Sequence, residues 1–268
     1  MRFAFGLSRF ESEWLPKWLG PLAKEGWFQT VLFRVKMGKE ALVYCCEGPG
    51  QELIAAKVYK SRKKRAMRYY GDYTIGRELL ASDGMPARSD RRYRNRRISK
   101  EEGQRLEEIS WVQHEFQTQR LVYDAGARVP RPLAVNDNVI LSSFVGDRRG
   151  AAPTLQSVTV TPLVAGEVFI QLMEQVALFL SQDRIHGDLS AYNVLVWEED
   201  FTVIDFPQAI LASKHPEAFS FLYRDIERLC QYFRKFEVDA SPQMFAEEMW
   251  KRYRRGELRD LYDTLART

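Results

Sequence analysis

RIHGDLSAYNVLV, residues 184–196, sets Asp188 and Asn193 five residues apart in a turn between apolar segments. Asp205 follows twelve residues after Asn193, at the end of the apolar run TVI. A carboxylate and an amide oxygen are hard ligands suited to Mg²⁺, an ion that keeps several positions for water and substrate phosphates. With Asn193 and Asp205 given to a cation, Asp188 is left to orient a hydroxyl nucleophile. Transfer of a phosphoryl group further requires a positive charge on the α- and β-phosphates. Lys57, embedded in the strand-like ELIAAKVYK, supplies that charge, and Glu115 on a later helix supplies its ion-pair partner.

Taken singly, these residues have bland readings. An aspartate in a turn is usually a cap, a lysine in a strand can snorkel, and a glutamate on a helix can face water. Their order is harder to set aside. Lysine strand, glutamate helix, an H-G-D-x-x-x-x-N loop and I-D-F after one hairpin follow the protein-kinase signature, with H-G-D for H-R-D and D-F-P for D-F-G. His114, His186 and His215 lie far apart without ligand spacing, which argues against a zinc site. His186 is expected as a packed residue bonded to backbone beside Asp188. No serine nucleophile elbow or Cys-His signature is present.

These residues need scaffolds. VLFRVKMGKEALVYCC (31–46) reads as strand, turn, strand, interrupted at Gly38, and ELIAAKVYK (52–60) as a third strand. Apolar residues at helical spacing from Gln104 to Tyr123 predict a helix carrying Glu115. VPRP ends it, and LAVNDNVILSSFVG then predicts a hairpin. A strongly apolar helix is expected over Gly166–Asp183, two short strands around the acidic turn Glu198–Asp200, and helices at about 217–236, 243–254 and 257–266. Strands first and helices second imply an α+β chain of two layered lobes with a cleft.

Composition narrows the setting. With 268 residues, 45% of them hydrophobic, the chain can build two cores. Cys45, Cys46 and Cys230 form no disulfide framework, which fits a reducing compartment. No cleavable leader or run of 18 apolar residues is seen, so a cytoplasmic protein without membrane association is expected. The net charge of +4 is uneven: Lys57–Lys100 holds 15 Lys and Arg against four acids, +11, which leaves −7 for the remainder. Such a stretch is more often a solvated loop than a grip on phosphates and bases.

Together the motifs resemble the RIO-type atypical serine/threonine protein kinases over roughly residues 35–240. MGKEALVY resembles that family's short phosphate loop, AAKVYK its lysine strand, and the basic stretch at 60–107 its flexible insertion. WVQHE resembles the helix that carries the paired acid, IHGDLSAYNVLV the catalytic loop, IDFPQA the metal loop, and HPEAFSFLYRDIERLCQYF the helical region that follows. With 63 residues after Asp205 and no A-P-E motif, a peptide-binding platform is expected to be missing. About 34 residues precede the first core strand, which resembles the members without a winged helix.

The resemblance implies a bilobal protein-kinase-like fold: an N-terminal extension (1–34) packing on the small lobe, a β-rich N-lobe (35–145), a reduced helical C-lobe (146–268), and an ATP cleft between the lobes. Asp188 and Asp205 would be catalytic. Gly38, Lys39, Glu40, Ala41, Val43, Lys57, Glu115, Ser143, Val145 and Asn193 would bind ATP, and Asn193 and Asp205 would hold Mg²⁺, with Mn²⁺ as the alternative ion. Asp205 could itself accept phosphate, which places ATP hydrolysis beside protein phosphorylation and autophosphorylation. Two rivals remain: a small-molecule phosphotransferase of the aminoglycoside or choline kinase type, and a nucleotide-binding scaffold that docks on RNA or a ribosomal particle through the basic insertion. G-K-E-A and that insertion favour the RIO reading. The protein acceptor is left open.

Overall fold

Alternation of apolar and polar residues is clearest along Leu53–Tyr59, a strand in the middle of a sheet. The computed structural model describes residues 1–38, 40–60, 70–90, 93 and 98–258. It divides into two units: Met1–Arg68, Glu78–Gln117 and Pro130–Ala152 form the first, and Tyr69–Arg77, Thr118–Val129 and Pro153–Thr268 the second.

In the first unit, β1 (Arg2–Phe3), helix α1 (Arg9–Lys24), β2 (Thr30–Met37), β3 (Ala41–Glu47) and β4 (Leu53–Tyr59) come first in the chain. A short helix, α2 (Tyr70–Thr74), belongs to the other unit. Helix α3 (Lys100–Asp124), β5 (Pro132–Val135), β6 (Val139–Ser143) and the small hairpin β7 (Gly146–Asp147) and β8 (Gly150–Ala151) follow. Six strands form one sheet in the order β1-β2-β3-β4-β6-β5, antiparallel except for the β1–β2 pair. Period-two alternation on β4 sends Ile54, Ala56 and Val58 into the core shared with Leu15, Leu19 and Leu22 of α1. Lys57 therefore leaves the sheet on the opposite face.

Glu11 ties α1 to the sheet. Its carboxylate accepts the Ser8 N–H while the Ser8 hydroxyl oxygen accepts the Glu11 N–H, a capping box, and the carboxylate also accepts the Ser8 hydroxyl at 2.7 Å, the Tyr44 hydroxyl at 2.7 Å and Arg34 Nη1 at 3.1 Å. Burial pushes this carboxyl up, but the bonds from Ser8 and Tyr44 and the Arg34 charge outweigh it and hold the group at about 2. A depressed acid contributes stability above its unfolded value of 4.5 and loses it as pH falls towards 2. Glu11→Ala is expected to cost about 3 kcal/mol at pH 7, with the gap to wild type closing as the pH falls below 4.5. Denaturant midpoints at pH 7 and pH 3 test this, and equal midpoints at pH 7 would refute it.

Helix α3 begins at Lys100 rather than near Gln104, because Ser99 and Glu102 close a capping box: each backbone N–H donates to the other's side chain.

The second unit is built around α4 (Pro162–Ser181), capped by Thr161 with proline at its first turn. Phe169, Leu172, Met173, Val176, Phe179 and Leu180 lie in its core. By length and composition α4 could cross a membrane, and half of that window is buried within the unit. Next come β9 (Arg184–Ile185), β10 (Val194–Trp197), β11 (Asp200–Val203), β12 (Ile210–Leu211), α5 (Ala218–Arg234) and α6 (Pro242–Arg255). β10 pairs with β11 and β12 with β9. Gly256, in the left-handed region, ends α6. The helix expected at 257–266 falls largely outside the described residues.

Candidate active site

In the first unit, one polar cluster forms around Lys57. Lys57 pairs across the sheet with Val43 on β3 and Ile140 on β6, so its backbone is fixed on both sides. Its Nζ donates to Glu115 Oε1 of α3 at 2.6 Å and lies 5.2 Å from the Tyr59 ring centroid. Glu115 is buried, and a buried carboxylate needs such a partner, since stranding its charge costs several kcal/mol.

The turn before β3 is closed by its own backbone. The Gly38 N–H donates to the Ala41 carbonyl at 3.0 Å, and Lys60 Nζ donates to the Gly38 carbonyl at 2.6 Å. The Glu40 carbonyl accepts the Lys60 N–H at 2.9 Å. A Cβ at Gly38 would stand 3.0 Å from the Ala41 oxygen, so only glycine fits without displacing it. Lys39 lies outside the described residues. At the end of β6, the Ser143 N–H donates to the Arg131 carbonyl while its hydroxyl accepts the Arg131 N–H, and beyond the strand the Val145 carbonyl accepts the Ala152 N–H.

The second unit carries the other cluster, on two loops stitched together. The loop after β9 holds Asp188 and Asn193, and the loop after β11 holds Asp205. Ile204, the residue before Asp205, donates its N–H to the Asn193 carbonyl at 2.9 Å and accepts His186 Nε2 on its own carbonyl at 3.1 Å. His186 is buried, and its Nδ1 accepts the Asp188 N–H at 3.4 Å, so it is a backbone fastener. Gly187 sits at φ +81°, and a Cβ there would lie 2.5 Å from the Gln208 carbonyl oxygen. The close passage of the two loops thus explains glycine in H-G-D.

Asn193 and Asp205 suit a hard cation. Asn193 Nδ2 is committed to the Asp188 carbonyl at 2.9 Å, which leaves the amide oxygen as the end for a metal. Asp205 has φ +78°, a left-handed conformation that aspartate tolerates better than most residues. No group of three or more His, Cys, Asp or Glu gathers as a metal cage among the described residues. Two oxygen ligands completed by water and phosphate oxygens match Mg²⁺. The three thiols offer no nucleophile: all are buried, and burial pushes Cys45 up to about 12 and Cys230 to about 11.

Further residues at this site escaped the sequence reading. Asp225 of α5, fully buried, accepts the Gly187 N–H at 2.7 Å and the Leu189 N–H at 2.9 Å, and so grips the backbone on both sides of Asp188. Arg224 Nη2 donates to the Gly187 carbonyl at 2.6 Å, and Arg228 Nη1 to the Asp188 carboxylate at 2.6 Å. Arg77, just after α2, donates to the carbonyls of Pro207 and Ala209 in the Asp205 loop. Asp225 left a signal, an acid on the apolar stripe of α5 between Leu222, Ile226 and Leu229. Arg77 left none, being one more cation in a basic stretch.

A RIO domain model matches residues 43–245. The chain is 31% identical over 221 residues to the RIO-type serine/threonine-protein kinase Rio1 of Haloferax volcanii, covering 82% of this chain and 69% of that protein. It is 27% identical over 235 residues to the serine/threonine-protein kinase rio1 of Dictyostelium discoideum, covering 86% of this chain but 37% of that protein. Among solved structures, the Rio2 kinase–ADP/Mg²⁺–phosphoaspartate complex from Chaetomium thermophilum is similar, with a TM-score of 0.61 at 23% identity, covering 87% of this chain and 64% of that one. The likeness shows an α+β kinase-like fold.

Proposed function

The chain belongs to the RIO family, and from that premise we propose that it is an ATP- and magnesium-dependent serine/threonine kinase or ATPase. The observation that carries the reading is the stitched pair of loops: Asn193 spends its amide nitrogen on the Asp188 backbone, which leaves its oxygen for a cation, and its carbonyl holds the residue that leads into Asp205. The first unit, through Lys57 held by Glu115, would bind the nucleotide phosphates. Asp188 would orient the acceptor hydroxyl. Its oxygen bonds the γ-phosphorus as the bond to the β-bridging oxygen breaks, the electron pair stays on ADP, and the proton passes to the carboxylate. Mg²⁺, or Mn²⁺ in its place, would neutralise charge on the phosphate oxygens.

The related Rio2 complex contains a phosphoaspartate, which supports Asp205 as a phosphate acceptor in this chain and hydrolysis as a competing fate. Incubation with γ-labelled ATP separates the outcomes. Release of phosphate is expected to require Mg²⁺ and to be lost in Asp205→Ala. Label that survives acid marks Ser or Thr, and label removed by hydroxylamine marks an acyl phosphate. Equal release by wild type and Asp205→Ala would sink the reading.

A further inference from the structure

Among the described residues, the backbone around Asp188 is held at five points. The amides of Gly187 and Leu189 are gripped by Asp225, the Asp188 amide by His186 Nδ1, the Gly187 carbonyl by Arg224, and the Asp188 carbonyl by Asn193. None of these contacts reaches the Asp188 side chain, which is 42% exposed. Among the described residues, the contact that fixes its direction is the Arg228 guanidinium, with Nη1 donating to Oδ1 at 2.6 Å. Arg224 and Arg228 stand four residues apart on α5, so they share one face. Arg224 stacks on the Phe221 ring at 4.4 Å and serves the loop backbone, while Arg228 serves the carboxylate.

An ion pair this exposed adds at most about 1 kcal/mol to stability. Its consequence lies in geometry. With Oδ1 bound to the guanidinium, the side-chain torsions of Asp188 are restrained and Oδ2 is the oxygen left for an acceptor. Without it, the carboxylate would share its time among rotamers, and a base must lie within hydrogen-bond reach of the proton it takes. We propose that Arg228 is a positioning residue for phosphoryl transfer, aiming Asp188 Oδ2 at the acceptor hydroxyl. This rests on the phosphotransferase reading above. Arg228 itself takes no proton and forms no bond to the transferred group.

The test uses the full chain with Mg²⁺ and ATP, comparing Arg228→Ala, Arg228→Gln and Arg228→Lys with wild type. Misplacing a catalytic group costs on the order of 10²-fold, so kcat of the Ala and Gln variants is expected to fall by about that factor. KM for ATP is expected to stay within about twofold, as fits the loss of an interaction made only in the transition state. Thermal melts identify any variant that is not folded, and Arg228→Gln, which keeps the stem, decides the matter if Arg228→Ala is not. Free guanidinium ion added to Arg228→Ala is expected to restore part of kcat while leaving wild type unchanged, an effect that a purely structural role would not give. A folded variant with kcat equal to or above wild type overturns the inference, as does absence of rescue by both Lys and guanidinium. A wild type that turns over no ATP overturns the phosphotransferase reading and this inference with it, whereas an active wild type matched by its variants overturns this inference alone.

Discussion

Asp188→Asn is expected to lower phosphoryl turnover by about 10³-fold or more while leaving the fold in place, since positioned general bases contribute roughly 10² to 10⁴. Asparagine has the same shape, and every backbone bond around residue 188 is made to groups that the substitution leaves untouched. What is lost is the ability to take a proton, together with the ionic half of the pair with Arg228. That pair is too exposed to matter much for stability. Turnover measured beside a thermal melt separates the two effects. A folded Asp188→Asn chain as active as wild type would remove Asp188 from the reaction.

Asp225→Ala has the largest expected effect on folding, a loss of about 3 kcal/mol or more, because two buried amides would lose their acceptor and each orphaned group costs roughly 1–3 kcal/mol. The carboxyl group carries a pH signature. Burial pushes it from 3.8 up to about 7, against the pull of the Gly187 and Leu189 amides and the charges of Arg224 and Arg228. For an acid raised in the folded state, the folded state binds the extra proton. Its contribution is therefore complete below 3.8 and declines as pH rises through 7. The stability gap between wild type and Asp225→Ala is expected to be wider at pH 5 than at pH 8. Denaturant midpoints at the two pH values check this, and a gap that widens with pH would contradict it.

What the sequence disclosed follows the range of the interactions involved. Lys57, Glu115, Asp188, Asn193 and Asp205 could be named because each sits in a short motif whose spacing is local. The strands around Gly38 and the hairpin at 198–200 were legible for the same reason. Asp225 acts on residues 36 and 38 positions earlier in the chain, and no spacing rule announces that. Only its place on an apolar stripe marks it as unusual. The basic stretch shows the opposite failure. A run of charge reads as one solvated insertion, yet Asp72 and Arg77 bond to His215 and to the Asp205 loop in the second unit, whereas Gln113 reaches Ser82 within the first. Composition carries no record of which side of such a run folds with which core. Lys39 and the arginines between 91 and 97 lie outside the described residues.

The buried cysteines make the molecule self-reporting. Cys45 and Cys46 are neighbours on one strand of the first unit and Cys230 lies on α5 of the second, each almost wholly screened from solvent. A thiol reagent can modify them only as fast as the surrounding structure opens. Two peptides from a single digest would then give two separate clocks, one for the sheet and one for the helical core, read from the native sequence without an added label.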